Sequence, residues 1–185
     1  ELLFFKNEMK AEFLYFWADT FFSWTRKDFE TFAELYQEIQ LPFWCQTRPE
    51  TINEHRVKTL KKMGVARIAF GIEHGNEKFR AKYLDRKMSN EIITEGIKTV
   101  IREEVPISVN NMIGFPHETR ELAFDTIKLN KTFGSPEIVD NNSYPFTPFT
   151  GTPLRKLCEE LGYVKETDIV NSVMSQGSLL NMPQF

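Results

Sequence analysis

This chain of 185 residues is poor in cysteine, in surplus positive charge and in long apolar runs. Each shortage excludes something. The two cysteines, Cys45 and Cys158, lie far apart. They make neither a disulfide framework nor a closely spaced metal pair, so a reducing, cytoplasmic compartment is expected. A formal net charge of -3 leaves no basic footprint for a nucleic acid. Lys58, Lys61 and Lys62 read as one solvated helix face. No apolar run approaches the ~20 residues of a membrane span, and the basic region and cleavage site of a signal peptide are missing. No Walker loop is present, no GxGxxG opens a helix, and no Ser or Cys occupies a strand-end elbow. Phosphate-cradle and nucleophilic-hydrolase readings therefore have no support. The opening ELLFFKNEMK lacks an initiator Met and reads as the end of a helix already under way, so a truncated piece is expected.

What remains is a globular composition, 41% apolar and 26% charged, with 17 Phe. That length and content suffice for one packed core. One pattern recurs along it: a short apolar run, a polar turn with a cap, then an amphipathic helix. Residues 13–18 (FLYFWA) form a continuous apolar run, expected as a strand covered on both faces. Thr25 and Asp28 open a helix with Phe29, Phe32, Ala33, Leu35 and Tyr36 on its inner side. A strand over 41–46 follows. Thr51 and Glu54 then form a second expected capping box, before a helix with Val57, Leu60 and Met63 that Gly64 ends. Residues 66–72 form the third strand, followed by a short helix near 79–84. Ser89 caps a helix carrying Ile92, Ile93, Ile97, Val100 and Ile101. The fourth strand covers 106–113. Thr119 caps a helix carrying Leu122, Phe124, Ile127 and Leu129, broken at Gly134-Ser135-Pro136. The fifth strand covers 137–146, and Thr152-Pro153 starts the last clear helix.

Strand and helix alternating at this spacing mean βαβ units and a parallel sheet, an α/β fold. Five such strands suit either an open doubly wound sheet or an arc of a barrel. In both, the ligand site lies at the C-terminal ends of the strands. There the sequence places Asp19, Arg48, Glu73, residues 110–118 and residues 144–151. Acids and an Arg on one rim suit a zwitterion or a nucleoside, the carboxylates accepting from an amine or from ribose hydroxyls.

Five strings at these strand ends resemble the motifs of radical SAM enzymes, in family order and spacing over residues 12–163. FWADTFF is similar to the segment after the cluster loop, WCQTRPE to the "W-x-C-x-T-R" strand, and FGIEHG to "F-G-I-E-S-G". NMIGFPHET is similar to "M-I-G-L-P-G-E-T", and YPFTPFTGTP to "T-P-F-P-G-T". The resemblance is to the subgroup that often carries a cobalamin-binding domain. It implies a parallel (β/α) partial TIM-like barrel truncated at its N-terminal side, over 1–163, followed by a C-terminal extension over 164–185.

The same resemblance implies S-adenosylmethionine (SAM) as ligand, with a [4Fe–4S] cluster and cobalamin in the full-length protein. Asp19 would accept from the SAM amino group, Arg48 would meet a carboxylate, and Glu73 would bind the ribose hydroxyls. Asn110, Met112 and Gly114 would pack the adenine, and Phe146 and Thr147 would meet its edge. No metal ligands are assigned: CxxxCxxC is absent, so the chain alone is expected to be inactive. Glu118 and Thr119 read as helix-start residues. His74 and His117 replace the usual Ser and Gly, and read as polar rim residues. Expected partners are the N-terminal part of the same protein, a substrate of unknown class, and an electron donor such as flavodoxin or ferredoxin. A dimer through the exposed barrel edge is also expected. Two other readings stay open: a degenerate relative that binds an adenosyl ligand or a partner without redox chemistry, and an ordinary barrel piece with another cofactor.

Overall fold

Among the described residues, every α-helix after the first begins on a side-chain oxygen that accepts an otherwise orphaned backbone N–H. The computed structural model describes residues 1–168, 178 and 180–183. In it, the cap residues are Thr25, Asn53, Asn76, Ser89, Thr119 and Thr152. They open α2 (Arg26–Tyr36), α3 (Glu54–Met63), α4 (Glu77–Tyr83), α5 (Asn90–Arg102), α6 (Arg120–Lys131) and α7 (Pro153–Glu160). A short α1 (Leu2–Asn7) precedes them. The second capping box expected at Thr51 does not form. Pro49–Thr51 is a 3-10 turn in which the Thr51 hydroxyl donates to the Arg48 carbonyl, and Asn53 caps α3 instead. Gly64 closes α3 in the left-handed conformation at φ 91°, as expected.

The strands are β1 (Leu14–Phe16), β2 (Phe43–Thr47), β3 (Val65–Glu73), β4 (Ile107–Ile113) and β5 (Val139–Pro145). All pairings are parallel, and the order is β1-β2-β3-β4-β5. This decides between the two architectures open to the sequence. A doubly wound sheet reverses its strand order at a switch point, whereas consecutive order winds one way, as in a barrel arc.

The sheet has two unlike faces. One carries Leu14, Phe43, Cys45, Ile68, Phe70, Ile72, Ile107, Val109 and Val139, all buried against the helices. Onto them α2, α3 and α5 fold Phe29, Val57, Leu60, Ile93 and Ile97. The other face is concave, and its side chains alternate with the first set. It carries Tyr15, Trp44, Gln46, Ser108 and Asn110. β1 is therefore not covered on both faces: Tyr15 is 68% exposed and Trp17 79%. An apolar string reads as two-sided burial, but here every second aromatic faces the hollow.

Leu35, Ile92, Phe124 and Ile127 are also exposed, although helical spacing groups them with the core residues. A second, smaller core gathers Phe79, Phe115, Phe146 and Cys158 with Val164 and Leu180. Of the expected C-terminal extension over 164–185, residues 169–177, 179 and 184–185 lie outside the described set. Arg155, 2% exposed, donates to the carbonyls of Lys165, Glu166 and Asp168. No helix among the described residues is long and apolar enough to cross a membrane.

Candidate functional site

The concave face opens at the strands' C-terminal ends into a cavity of about 760 Å³. Seven of the eight expected site residues line it: Asp19, Arg48, Glu73, Asn110, Met112, Phe146 and Thr147. Gly114 does not. It turns the chain out of β4 at φ 81°, and its N–H donates to Glu118 Oε2 at 2.5 Å.

Glu73 is placed by three local features. The β3–β4 register shifts between Gly71 and Glu73, so the strand end bulges. Glu73 itself takes a positive φ of 69°, a costly region for a residue with a Cβ, and one that strand ends beside functional sites adopt. Gly71 leaves room for the result: a Cβ there would collide with Oε1 of Glu73. The carboxylate thus lies back over the strand, inside the cavity. Arg86 holds it there, with Nη2 3.1 Å from Oε1 and Nη1 donating to the Gly71 carbonyl at 2.6 Å. Burial pushes the Glu73 carboxyl above its ordinary value, and the Arg86 charge opposes the shift only in part.

Asp19 and Arg48 stand on neighbouring strand ends. Phe16 and Cys45 are in register, and each residue follows its partner by the same three positions. One acid and one base thus line the cavity just beyond the ends of neighbouring strands. Arg48 also pairs with Glu50 at 2.6 Å, both half-exposed. Such a pair is worth little in water and is readily exchanged for a better-placed anion. On the far side Met112, Phe146 and Thr147 form a less polar wall. Phe146 is 5% exposed and packs on Phe115 with ring centroids 4.9 Å apart.

Three residues differ from their sequence reading. His74 is fully buried rather than on the rim, stacked on Phe79 with centroids 4.2 Å apart. Glu118 is more than a helix-start residue: its buried carboxylate accepts from Gly114, Phe115 and His74. Arg86, which no sequence pattern singled out, is the direct partner of Glu73. His117 is exposed and near the ring of Tyr83, in keeping with a rim residue. Thr119 caps α6 as expected.

The cysteines do not fit an iron–sulfur cluster. Cys45 is on the helix-covered face of β2 and Cys158 is in the second core. Burial raises both thiols, Cys158 to about 11, which disfavours the thiolate that ligates iron. Among the described residues, no three of His, Cys, Asp and Glu gather as a metal site.

Comparison with known proteins gives a consistent picture. The family model described as the Radical SAM superfamily matches residues 2–129. An uncharacterized methyltransferase from Pyrococcus horikoshii is 26% identical over 141 residues, 75% of this chain and 30% of that protein. Among solved structures, the chain is similar to coproporphyrinogen III oxidase (HemN) from Escherichia coli, a radical SAM enzyme. There the TM-score is 0.62 at 18% identity, over 88% of this chain and 36% of that one. It is also similar to the radical SAM methyltransferase TsrM from Kitasatospora setae, solved with cobalamin and a [4Fe-4S] cluster. That match has a TM-score of 0.65 at 13% identity, over 97% of this chain and 35% of that one. The chain thus spans about a third of the length of the proteins it matches, and at these identities the structural likeness speaks for the fold.

Proposed function

The chain belongs to the radical SAM superfamily, and from that premise we propose that its cavity binds SAM through Asp19, Arg48 and Glu73. The observation that carries this reading is the order of charges along the rim. Asp19 and Arg48 lie just beyond β1 and β2, Glu73 follows at the end of β3, and the less polar wall of Met112 and Phe146 comes last. SAM has the same linear order: a zwitterionic amino acid, a ribose diol, then a flat base.

Each contact has a physical reason. The Asp19 carboxylate accepts from the ammonium. The Arg48 guanidinium offers a planar fork of donors to the ligand carboxylate. Glu73 presents two acceptor oxygens to a vicinal diol, and Arg86 keeps them aimed. Met112 and Phe146 give the adenine an apolar surface, and backbone groups around Thr147 reach its edge. When bound beside a reduced [4Fe–4S] cluster, SAM supplies a 5′-deoxyadenosyl radical or a methyl group. This chain's residues bind and orient it; the full-length protein would hold the cluster and cobalamin and would draw electrons from a separate donor such as flavodoxin or ferredoxin.

The test is calorimetric titration of the chain with SAM and with 5′-deoxyadenosine, Glu73→Ala alongside. Binding of both, lost in the variant, supports the reading. Equal binding by the variant would overturn the role of Glu73. A second reading, an adenosyl-binding relative without redox chemistry, is favoured by the two buried cysteines. Anaerobic reconstitution of the longer protein decides it, since cluster absorption with SAM cleavage would exclude that reading.

A further inference from the structure

Below the rim the lower part of the cavity is a slot between walls that are chemically unlike. On the middle strand the inward position there is the small Ala69, and the Glu73 carboxylate lies over Gly71 above it. On the β1–β2 side stand Trp17 and Trp44, stacked with ring centroids 5.5 Å apart and planes at 24°. On the β4–β5 side stand Asn110 and Asn142, partners in register, with Asn142 Nδ2 donating to Asn110 Oδ1 at 3.2 Å. That bond leaves Asn110 Nδ2 as a donor beside Asn142 Oδ1 as an acceptor. Neither has another protein partner among the described residues.

Charges near the slot are already engaged, by a protein partner or by the zwitterion at the rim, which Asp19 and Arg48 face. Glu73 pairs with Arg86, Arg48 with Glu50, and Arg67 with Asp140. The uncharged groups there that can read a ligand include an indole face and an adjacent amide donor and acceptor, with Gln46 and Ser108 beside them. An indole face favours a flat π-system. A donor–acceptor pair fits a ring edge bearing the opposite pair, as a lactam or amidine edge does.

We infer that this slot binds the substrate, and that the substrate presents an uncharged, planar heteroaromatic ring with adjacent donor and acceptor atoms on its edge. The inference rests on the adenosyl group occupying the rim above, and it assigns Asn110 to the substrate rather than to adenine. Trp17 and Trp44 supply the stacking surface, and Asn110 and Asn142 select the edge.

The probe pair is 2-pyridone, planar with an adjacent N–H and carbonyl, and its saturated analogue 2-piperidone. Each is titrated into the full chain while tryptophan fluorescence is followed. Expected is quenching by 2-pyridone with affinity at least about tenfold above that for 2-piperidone, the scale of one aromatic contact. Trp17→Leu, at a largely exposed position, and Asn110→Leu should each weaken 2-pyridone about tenfold or more. Glu73→Ala should abolish binding of 5′-deoxyadenosine while the preference for 2-pyridone over 2-piperidone persists. No discrimination between the two probes would overturn the inference. So would competition between 2-pyridone and 5′-deoxyadenosine, which would make the slot the adenine site and leave the adenosyl reading intact. If 5′-deoxyadenosine fails to bind but 2-pyridone behaves as expected, the adenosyl reading falls and the slot assignment stands.

Discussion

Nε2 of His74 lies 3.1 Å from Oε1 of Glu118, with both side chains fully shielded from solvent. The backbone N–H of Asn76 donates to Nδ1 at 3.0 Å, so the ring proton is on Nε2 and points at the carboxylate. The other Glu118 oxygen takes the N–H groups of Gly114 and Phe115. This one contact ties the loop after β3 to the loop after β4. Glu118→Ala strands three donors, those of His74 and Phe115 buried and that of Gly114 partly so, and should destabilise the chain by about 3–5 kcal/mol. His74→Leu leaves the carboxylate its two backbone donors and should cost less, about 1–3 kcal/mol. Urea unfolding curves check both the sizes and their order.

Gly71→Ala should separate folding from binding. The new Cβ collides with the tip of the Glu73 side chain, which can swing away at small cost to the fold. It cannot swing away and still accept from the ligand diol. Unfolding midpoints should therefore change little, while affinity for 5′-deoxyadenosine falls about tenfold or more, the scale of one charge-assisted hydrogen bond. Wild-type affinity in a folded Gly71→Ala would refute the role given to that glycine.

Gly75→Ala should do the opposite. Its Cβ would meet backbone atoms of Asp125 and Thr126 on α6, which have no free torsion to absorb it. The N–H of Gly75 also donates to Thr126 Oγ1 at 2.8 Å. Forcing that helix outward should cost about 3 kcal/mol or more, read as a lowered thermal midpoint.

Affinity and stability should respond to acid in opposite directions at Glu73. Burial holds its carboxyl above the ordinary value, so it begins to protonate above the usual Glu range. Ligand affinity should fall as pH is lowered through that window. Stability has the reverse sign. The ionised form is disfavoured in the folded chain, so the penalty present above the raised pKa is relieved as the group protonates. Glu73→Gln should remove both dependences and be at least as stable as the parent at neutral pH. Titration calorimetry and thermal melts over pH 4–8 check the two arms.

The strands, the parallel sheet and most caps were legible because each rests on local pattern: apolar runs, Thr25 and Ser89 before helices, Gly64 after one. The rim was legible because strand ends are where such folds bind. Arg86 was not, since it follows α4 in a loop without periodicity and meets Glu73 only through the tertiary fold. His74 looked like a rim residue because its burial comes from Phe79 and Phe115, the latter on another loop. At α3 the sequence pattern pointed to Thr51 as the cap. The 3-10 turn begun by Pro49 uses Thr51, and Asn53 accepts from Arg56 instead.

The consecutive strand order bears on how the chain is made. Each strand pairs with the strand one crossover earlier, so no strand waits for a distant partner still to be synthesised. The sheet can lengthen unit by unit as the polypeptide leaves the ribosome, each new helix sealing the face its own strand exposes. β5, polar and mostly exposed along its length, is the last of the described strands, an edge with little apolar surface to attract the wrong neighbour.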